Sequence, residues 1–252
     1  MKENPIVGQG TPLAAWNQSQ QLAALTTISA AELVPEGARA VIVAPHPDDE
    51  ILGCGGLLQQ LAELGRSILI ISVTDGLASH PGSRQWPVER LSEARPQESA
   101  RALACLGLPT RHLEWVRGGF ADSGVAKDER RLVSFLQRHL APTDVVFSTW
   151  REDGHTDHEA VGRASCQAAR DCGAAFHELP IWTWHWASPE DTRVPWHRAR
   201  KLALSEPVLE RKHAAVQAFT SQLQGDPEIG LEPVLAPYVT ERLLRPFEVV
   251  FL

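Results

Sequence analysis

The chain is poor in cysteine, and the four it has (Cys54, Cys105, Cys166 and Cys172) include no C-x-x-C pair. That spacing excludes a zinc knuckle and a thioredoxin-like dithiol. Three of the four fall in helical stretches among small or apolar neighbours, so free buried thiols and a reducing compartment are expected. There is no basic excess either. Lysine and arginine number 24 against 31 acids, for a formal charge of −7, and the electrostatic footprint of a nucleic-acid binder is missing. No basic segment leads into a long apolar run at Met1–Pro5, so no signal peptide is expected. No apolar run approaches the roughly 20 residues of a membrane helix. A cytoplasmic protein without a membrane span is the expectation. Internal repeats and low-complexity segments are absent as well.

What is present is an ordinary globular composition, 43% apolar and 22% charged over 252 residues, enough for a sizeable core with an added lobe. Val41 to Ala44 and Ser67 to Val73 are short β-branched apolar runs, the signature of buried strands. A helix over 51–64, closed by Gly65, joins them into a unit of the size of a right-handed parallel crossover. Helical spacing also marks 13–33 (with Ser29 as a cap), 91–106 (with Pro96 near its first turn), 127–140, 159–172 and 205–222. Strands are expected over 111–116, ended by Gly118-Gly119, and over 144–149, 175–184 and 247–252. Residues 77–90 read as a loop over the carboxyl ends of the strands. The alternation predicts an α/β protein with a mostly parallel sheet flanked by helices. The expected divisions are an N-terminal helical arm over 1–36, the core over 37–180 and a smaller C-terminal lobe over 181–252 packed on it.

Two polar clusters each stand directly after a buried strand and directly before a helix. In open α/β sheets, ligands bind in the crevice at such carboxyl ends. The first cluster is Pro45-His46-Pro47-Asp48-Asp49-Glu50; the second holds Asp153, His155, Asp157 and His158. Adjacent acids repel one another unless a cation sits among them, so a divalent metal is the economical reading. Two imidazoles and one carboxylate form an open three-ligand set that leaves a position for water on a catalytic zinc. Zinc brings the pKa of such water to about 7, and a spare carboxylate beside it can take the proton. The same donors suit a non-haem Fe(II) oxygenase, although the additional acid favours hydrolysis. Glu50 reads either as a helix N-terminal acid or as a group supporting the ligands. Asp153 or Asp157 can accept the second N–H of a ligating imidazole. Gly53-Cys54-Gly55-Gly56 is no dinucleotide loop, because Leu58 fills the third small position. Trp182, Trp184 and Trp186 alternate as on one strand face, near Trp196, which points to core, to sugar stacking or to a subunit interface of a homo-oligomer. His80, His112, His139, His177, His197 and His213 lack ligand spacing and read as ordinary.

Ala44-Pro45-His46-Pro47-Asp48-Asp49-Glu50, Gly53-Cys54-Gly55-Gly56, Thr74-Asp75-Gly76, Arg95 with Glu98, and His155-Thr156-Asp157-His158 stand in an order that resembles the PIG-L/LmbE-like family of zinc-dependent N-acetylglucosaminyl de-N-acetylases. The resemblance covers roughly residues 39–170 and implies a Rossmann-like core without dinucleotide binding. It implies that His46, Asp49 and His158 bind Zn2+ and that Asp48 is the general base. It further implies that His155 stabilises the tetrahedral oxyanion or protonates the departing amine, and that Arg95 helps hold the substrate. Glu50 and Asp157 then support these groups. Lys212 with Ser221-Gln222 resembles a late family pattern, with Phe219 where a histidine is common. The implied function is hydrolysis of an acetyl group from a small-molecule N-acetylated amino sugar or related glycoconjugate. The alternatives are hydrolysis of a non-sugar N-acyl amide, or sugar binding without catalysis. The presence of both Asp48 and His155 argues against the last.

Overall fold

Aliphatic runs too short to make a helix become strands covered on both faces. In the computed structural model, which describes residues 4–108 and 113–252, the strands are Ala40–Ala44 (β1), Ile68–Thr74 (β2), Leu113–Phe120 (β3), Val145–Thr149 (β4), Ala175–Leu179 (β5), Ala199–Ala203 (β6) and Phe247–Phe251 (β7). They form one sheet in the order β3-β2-β1-β4-β5-β7-β6. β1 to β5 are parallel, and β7 runs antiparallel to both β5 and β6. β1, β2 and β4 are buried at every position. The order reverses between β1 and β4, so the crevice that binds ligands in such sheets opens beyond their carboxyl ends.

The helices are Leu13–Asn17 (α1), Gln20–Ala23 (α2), Ala30–Leu33 (α3), Asp49–Glu63 (α4), Val88–Cys105 (α5), Glu129–Gln137 (α6), Thr156–Cys172 (α7), Thr183–Trp186 (α8), Glu206–Val216 (α9), Thr220–Leu223 (α10) and Pro237–Leu243 (α11). Because side chains alternate along a strand, Ile42 and Ile70 join one apolar layer with Leu57, Leu58 and Leu61 of α4. Val41, Val43, Leu69 and Ile71 join the other, with Leu132 and Leu136 of α6 and the small residues Ala160, Ala164 and Ala168 of α7.

α4 is broken at Cys54 (φ −148°, ψ 24°). The break exposes backbone groups inside the core, and two buried charges satisfy them. The Glu248 carboxylate accepts the N–H groups of Gly56 (2.7 Å) and Leu57 (2.9 Å). Lys212 Nζ donates to the Leu52 carbonyl (2.9 Å) and to Glu248 (2.7 Å). A Cβ on Gly56 would collide with Leu204. The glycine-rich stretch therefore serves a helix break, and Lys212 serves the same break from α9.

Several expectations need correction. The 13–33 stretch forms three short helices; Ser29 caps the last, in a reciprocal box with Glu32. α5 starts at Val88, so Pro96 lies well inside it. β3 passes through Gly118-Gly119 instead of ending there: Gly119 adopts φ +65°, and the pairing register shifts between Ser72 and Thr74. Its expected start, Arg111 with His112, lies outside the described residues. β5 ends at Leu179, because the Asp153 carboxylate accepts the backbone N–H groups of Ile181, Trp182 and Thr183 and turns the chain into α8. The tryptophans therefore do not share a strand face. Trp184 packs edge-on against Trp16 at 5.1 Å, and Trp186 lies near-parallel to Trp150 at 6.2 Å. Residues 181–252, expected as a lobe, supply β6 and β7 to the same sheet. All four cysteines are free, but only Cys54 is buried.

Candidate active site

The two polar clusters meet at the switch point. After β1 the chain turns through His46 and Pro47 to Asp48, which precedes α4 with φ 133° and ψ −31°. Few residues other than glycine adopt such φ values, and strain of this kind costs about 1–3 kcal/mol. The turn is held from both sides. The Asp48 N–H donates to Glu50 Oε2 at 3.1 Å, and the Asp48 carbonyl accepts from Ile51 and Leu52 at 2.9 and 2.8 Å. Held so, Asp48 and Asp49 diverge, as adjacent residues with separate tasks must.

From β4, α7 starts at Thr156, earlier than the pattern suggested, which places Asp157 and His158 in its first turn. Asp49 Oδ2 lies 3.3 Å from His46 Nδ1 and 3.3 Å from His158 Nε2. The ring of His155 completes the group, 4.9 Å from each of the other two by centroid. His158 is fully buried, and its Nδ1 donates to Asp153 Oδ2 at 2.9 Å. In the neutral ring that bond places the proton on Nδ1 and leaves Nε2 facing Asp49. His158 Nε2 is buried and has no hydrogen-bond partner. His46 turns its Nε2 outward to Asp122 at 3.3 Å and Asp157 at 3.4 Å.

The electrostatics follow from burial and neighbours. Burial opposes charge on Asp49, but His158 and His46 hold its carboxyl well below the usual range. Burial likewise works against a charged His158, and the Asp49 and Asp153 carboxylates override it, raising the imidazole to about 9. Burial pushes Asp48 up to about 7, even with the Arg95 guanidinium 3.6 Å away. It pushes Glu50 up to about 8. His155 goes the other way, down to about 3, through burial and then through the neighbouring His158 and His46.

His46, Asp49 and His158 converge, and apart from the Asp49 oxygen at 3.3 Å the buried His158 Nε2 has no partner; His46, His155 and His158 also bring ring nitrogens close enough together to share one ion. Two imidazoles, each steadied by a carboxylate behind it, and one carboxylate make a donor set that fits a divalent metal. These groups line a cavity of about 240 Å³ together with Asp48, Arg95, Asp122 and His155. Leu52, Ile181, Trp182, Leu235, Val239 and Leu243 form its apolar side.

A family model described as "PIG-L: GlcNAc-PI de-N-acetylase" matches residues 41–169, a span that contains both clusters. The chain belongs to this family. A relative from Escherichia coli (strain K12), named as the uncharacterized deacetylase YaiS, is 33% identical over 136 residues, or 51% of this chain and 66% of its own. A 1D-myo-inositol 2-acetamido-2-deoxy-alpha-D-glucopyranoside deacetylase from Kineococcus radiotolerans is 23% identical over 249 residues, 83% of this chain and 64% of its own. The chain thus spans slightly less than two thirds of these curated relatives. The N,N'-diacetylchitobiose deacetylase from Pyrococcus horikoshii shares the fold, with a TM-score of 0.58 at 17% identity over 85% of this chain and 84% of its own.

In this PIG-L protein the residues expected at the site are brought together, with two refinements. Asp157 sits behind His46 and Asp153 behind His158. Glu50 holds the Asp48 backbone. Arg95 is buried in the cavity wall, donates from Nη2 to the Pro47 carbonyl (2.7 Å), and keeps Nε and Nη1 without partners. Glu98, one turn on, accepts instead from Ser221 N and Oγ and ties α10 to α5. Asp75 is bound to Arg117 and does not line the cavity. Phe219 is buried in the apolar core. Asp122 was missed. Ending β3 at Gly118 hid it; a strand extended to Phe120 would have placed an acid just past a third carboxyl end.

Proposed function

We propose that this PIG-L protein is a zinc-dependent hydrolase that removes an acetyl group from a small N-acetylated amino sugar or glycoconjugate. His46, Asp49 and His158 would hold the zinc. The observation that carries the reading is the single Asp49 oxygen 3.3 Å from both imidazoles, with Asp48 on a strained turn beside it. A bound zinc ion would bring the pKa of a water ligand to about 7 and polarise the amide carbonyl.

The rest is work for the chain's own residues. Asp48, with a pKa near neutrality, takes a proton from the attacking water as the new C–O bond forms. It returns that proton to the nitrogen as the C–N bond breaks, giving acetate and a free amine. His155 is neutral, and its Nδ1 accepts the Asp157 N–H at 3.3 Å. Its proton therefore sits on Nε2, where it donates to the developing oxyanion. That arrangement favours oxyanion stabilisation over amine protonation for His155. Arg95 steadies Asp48 through its 3.6 Å approach and, as part of the cavity wall, helps hold the substrate. Four free cysteines support a reducing, cytoplasmic setting. Among the described residues no helix is long and apolar enough to cross a membrane.

The test is acetate release from metal-loaded protein across N-acetylated sugars. Asp48→Asn, which keeps the shape and loses the base, is expected to lower kcat by about 10²–10⁴-fold with metal content unchanged. A variant of equal metal content and wild-type rate would refute the mechanism. Oxygen consumption with bound iron would favour the oxygenase reading.

A further inference from the structure

The cavity around the metal-site residues, at about 240 Å³, falls below the roughly 300–1,000 Å³ typical of small-molecule sites. A glycoconjugate whose amide is seated there must extend beyond it. The cavity shares Ala78 and Asp122 with an adjoining groove of about 770 Å³. Leu77, Pro81, Pro87, Val88, Phe120 and Ala121 make much of its lining. Val88 is 54% exposed, and the large apolar side chains exposed elsewhere among the described residues, Val7, Leu64 and Ile229, do not line the groove.

The groove is preformed. Its wall, the 75–87 loop, is tied down at three points: Ala78 N donates to Asp122 Oδ2 (2.6 Å), Ser83 Oγ donates to Asp226 Oδ2 (2.6 Å), and His80 Nε2 lies 3.2 Å from the Gln224 carbonyl. A wall fixed in advance loses little freedom when a ligand arrives. The described lining residues include the carboxylates of Asp75 and Asp122 and no lysine or arginine. Arg117 is engaged bidentately by Asp75 at 2.7 and 2.9 Å, and the Arg131 guanidinium is stacked over the Phe120 ring at 4.7 Å.

We propose that this groove is the aglycone subsite, and that the aglycone it takes is apolar and uncharged. The proposal rests on the N-deacetylase reading and adds to it. Apolar contact with Val88, Phe120 and Ala121 supplies affinity, and a phosphate-bearing aglycone would meet no lysine or arginine among the described lining residues.

The probes are the methyl, hexyl and 6-phosphohexyl β-glycosides of N-acetylglucosamine, applied to the metal-loaded protein. Acetate release and calorimetric binding are both read. The hexyl glycoside is expected to exceed the methyl glycoside by about tenfold in affinity and in kcat/KM, with the phosphohexyl glycoside at or below the methyl. Val88→Asp, at the exposed first turn of α5 where an acid suits the helix dipole, should bring the ratio of hexyl to methyl glycoside, in affinity and in kcat/KM, down to about one. Equal binding of methyl and hexyl, a hexyl advantage that survives Val88→Asp, or a preference for the phosphohexyl glycoside would overturn the proposal while leaving deacetylation intact. Absence of acetate from all three would overturn the deacetylase reading instead. A Val88-dependent hexyl preference in the calorimeter would then still support the groove.

Discussion

Asp48 occupies backbone space that few residues with a Cβ adopt, one position ahead of a helix, and its side chain is buried. Both facts bear on its work. The strained turn separates it from Asp49, and burial brings its pKa to about 7. A general base acts as the carboxylate, so activity is present above that pKa and lost as pH falls through it. A cation in the neighbouring donor set favours the ionised form and moves the transition down, not up. The kcat/KM profile is therefore expected to show an acid limb of one proton with an apparent pKa at or below about 7. A limb that survives unchanged in Asp48→Asn would assign the proton to another group. Most of this centre was legible in the sequence, because each cluster directly follows a strand recognisable by its apolar run. The division of labour between Asp153 and Asp157 was not legible. Both lie close to the histidines in sequence, and only the rotation of α7's first turn decides which one faces His158.

At the scale of elements, α4 shows how a helix can be interrupted within a core without leaving unpaired backbone. Lys212 and Glu248 are both buried, and each hydrogen-bonds one side of the break. Removing one partner leaves the other charge uncompensated, at a cost of about 3–5 kcal/mol. Lys212→Met is thus expected to lower the urea midpoint substantially, whereas a cost within about 0.5 kcal/mol, typical of surface changes, would show that the pair is dispensable. The pattern of α4 reads from sequence as one helix, since its break depends on partners about 160 and 190 positions away. The same holds for α8: alternating tryptophans suggest a strand, and a distant carboxylate turns the segment into a helical turn. β3 and Pro96 are misplaced for a more local reason. Glycine and proline usually punctuate elements, but a bulge accommodates the first, and the interior of a long helix the second.

For the whole molecule, the donors converge because β1 and β4 are neighbours, and that adjacency is a property of the sheet as assembled. Metal binding therefore couples to folding. Zinc at a hundred times its Kd is expected to stabilise the native state by about 2.7 kcal/mol, which raises Tm by roughly 5–10 °C and is reversed by a chelator. Differential scanning calorimetry of wild type and His158→Ala checks this. A Tm indifferent to zinc in the wild type would remove the metal site. The parallel half of the sheet was readable from alternating apolar runs. Of the antiparallel half, β7 was readable as a closing apolar run and β6 was not, since β6 carries Arg200 and Lys201 and borrows its place in the sheet from β7.

The chemistry hangs from the tips of two adjoining strands, whereas the walls around it come from the 75–87 loop and from the stretch that contains Val234, Leu235, Val239 and Leu243. The two can drift apart in evolution. Grafting a loop of different length or charge onto residues 75–87 would retarget such a protein toward another conjugate and leave its grip on the ion untouched.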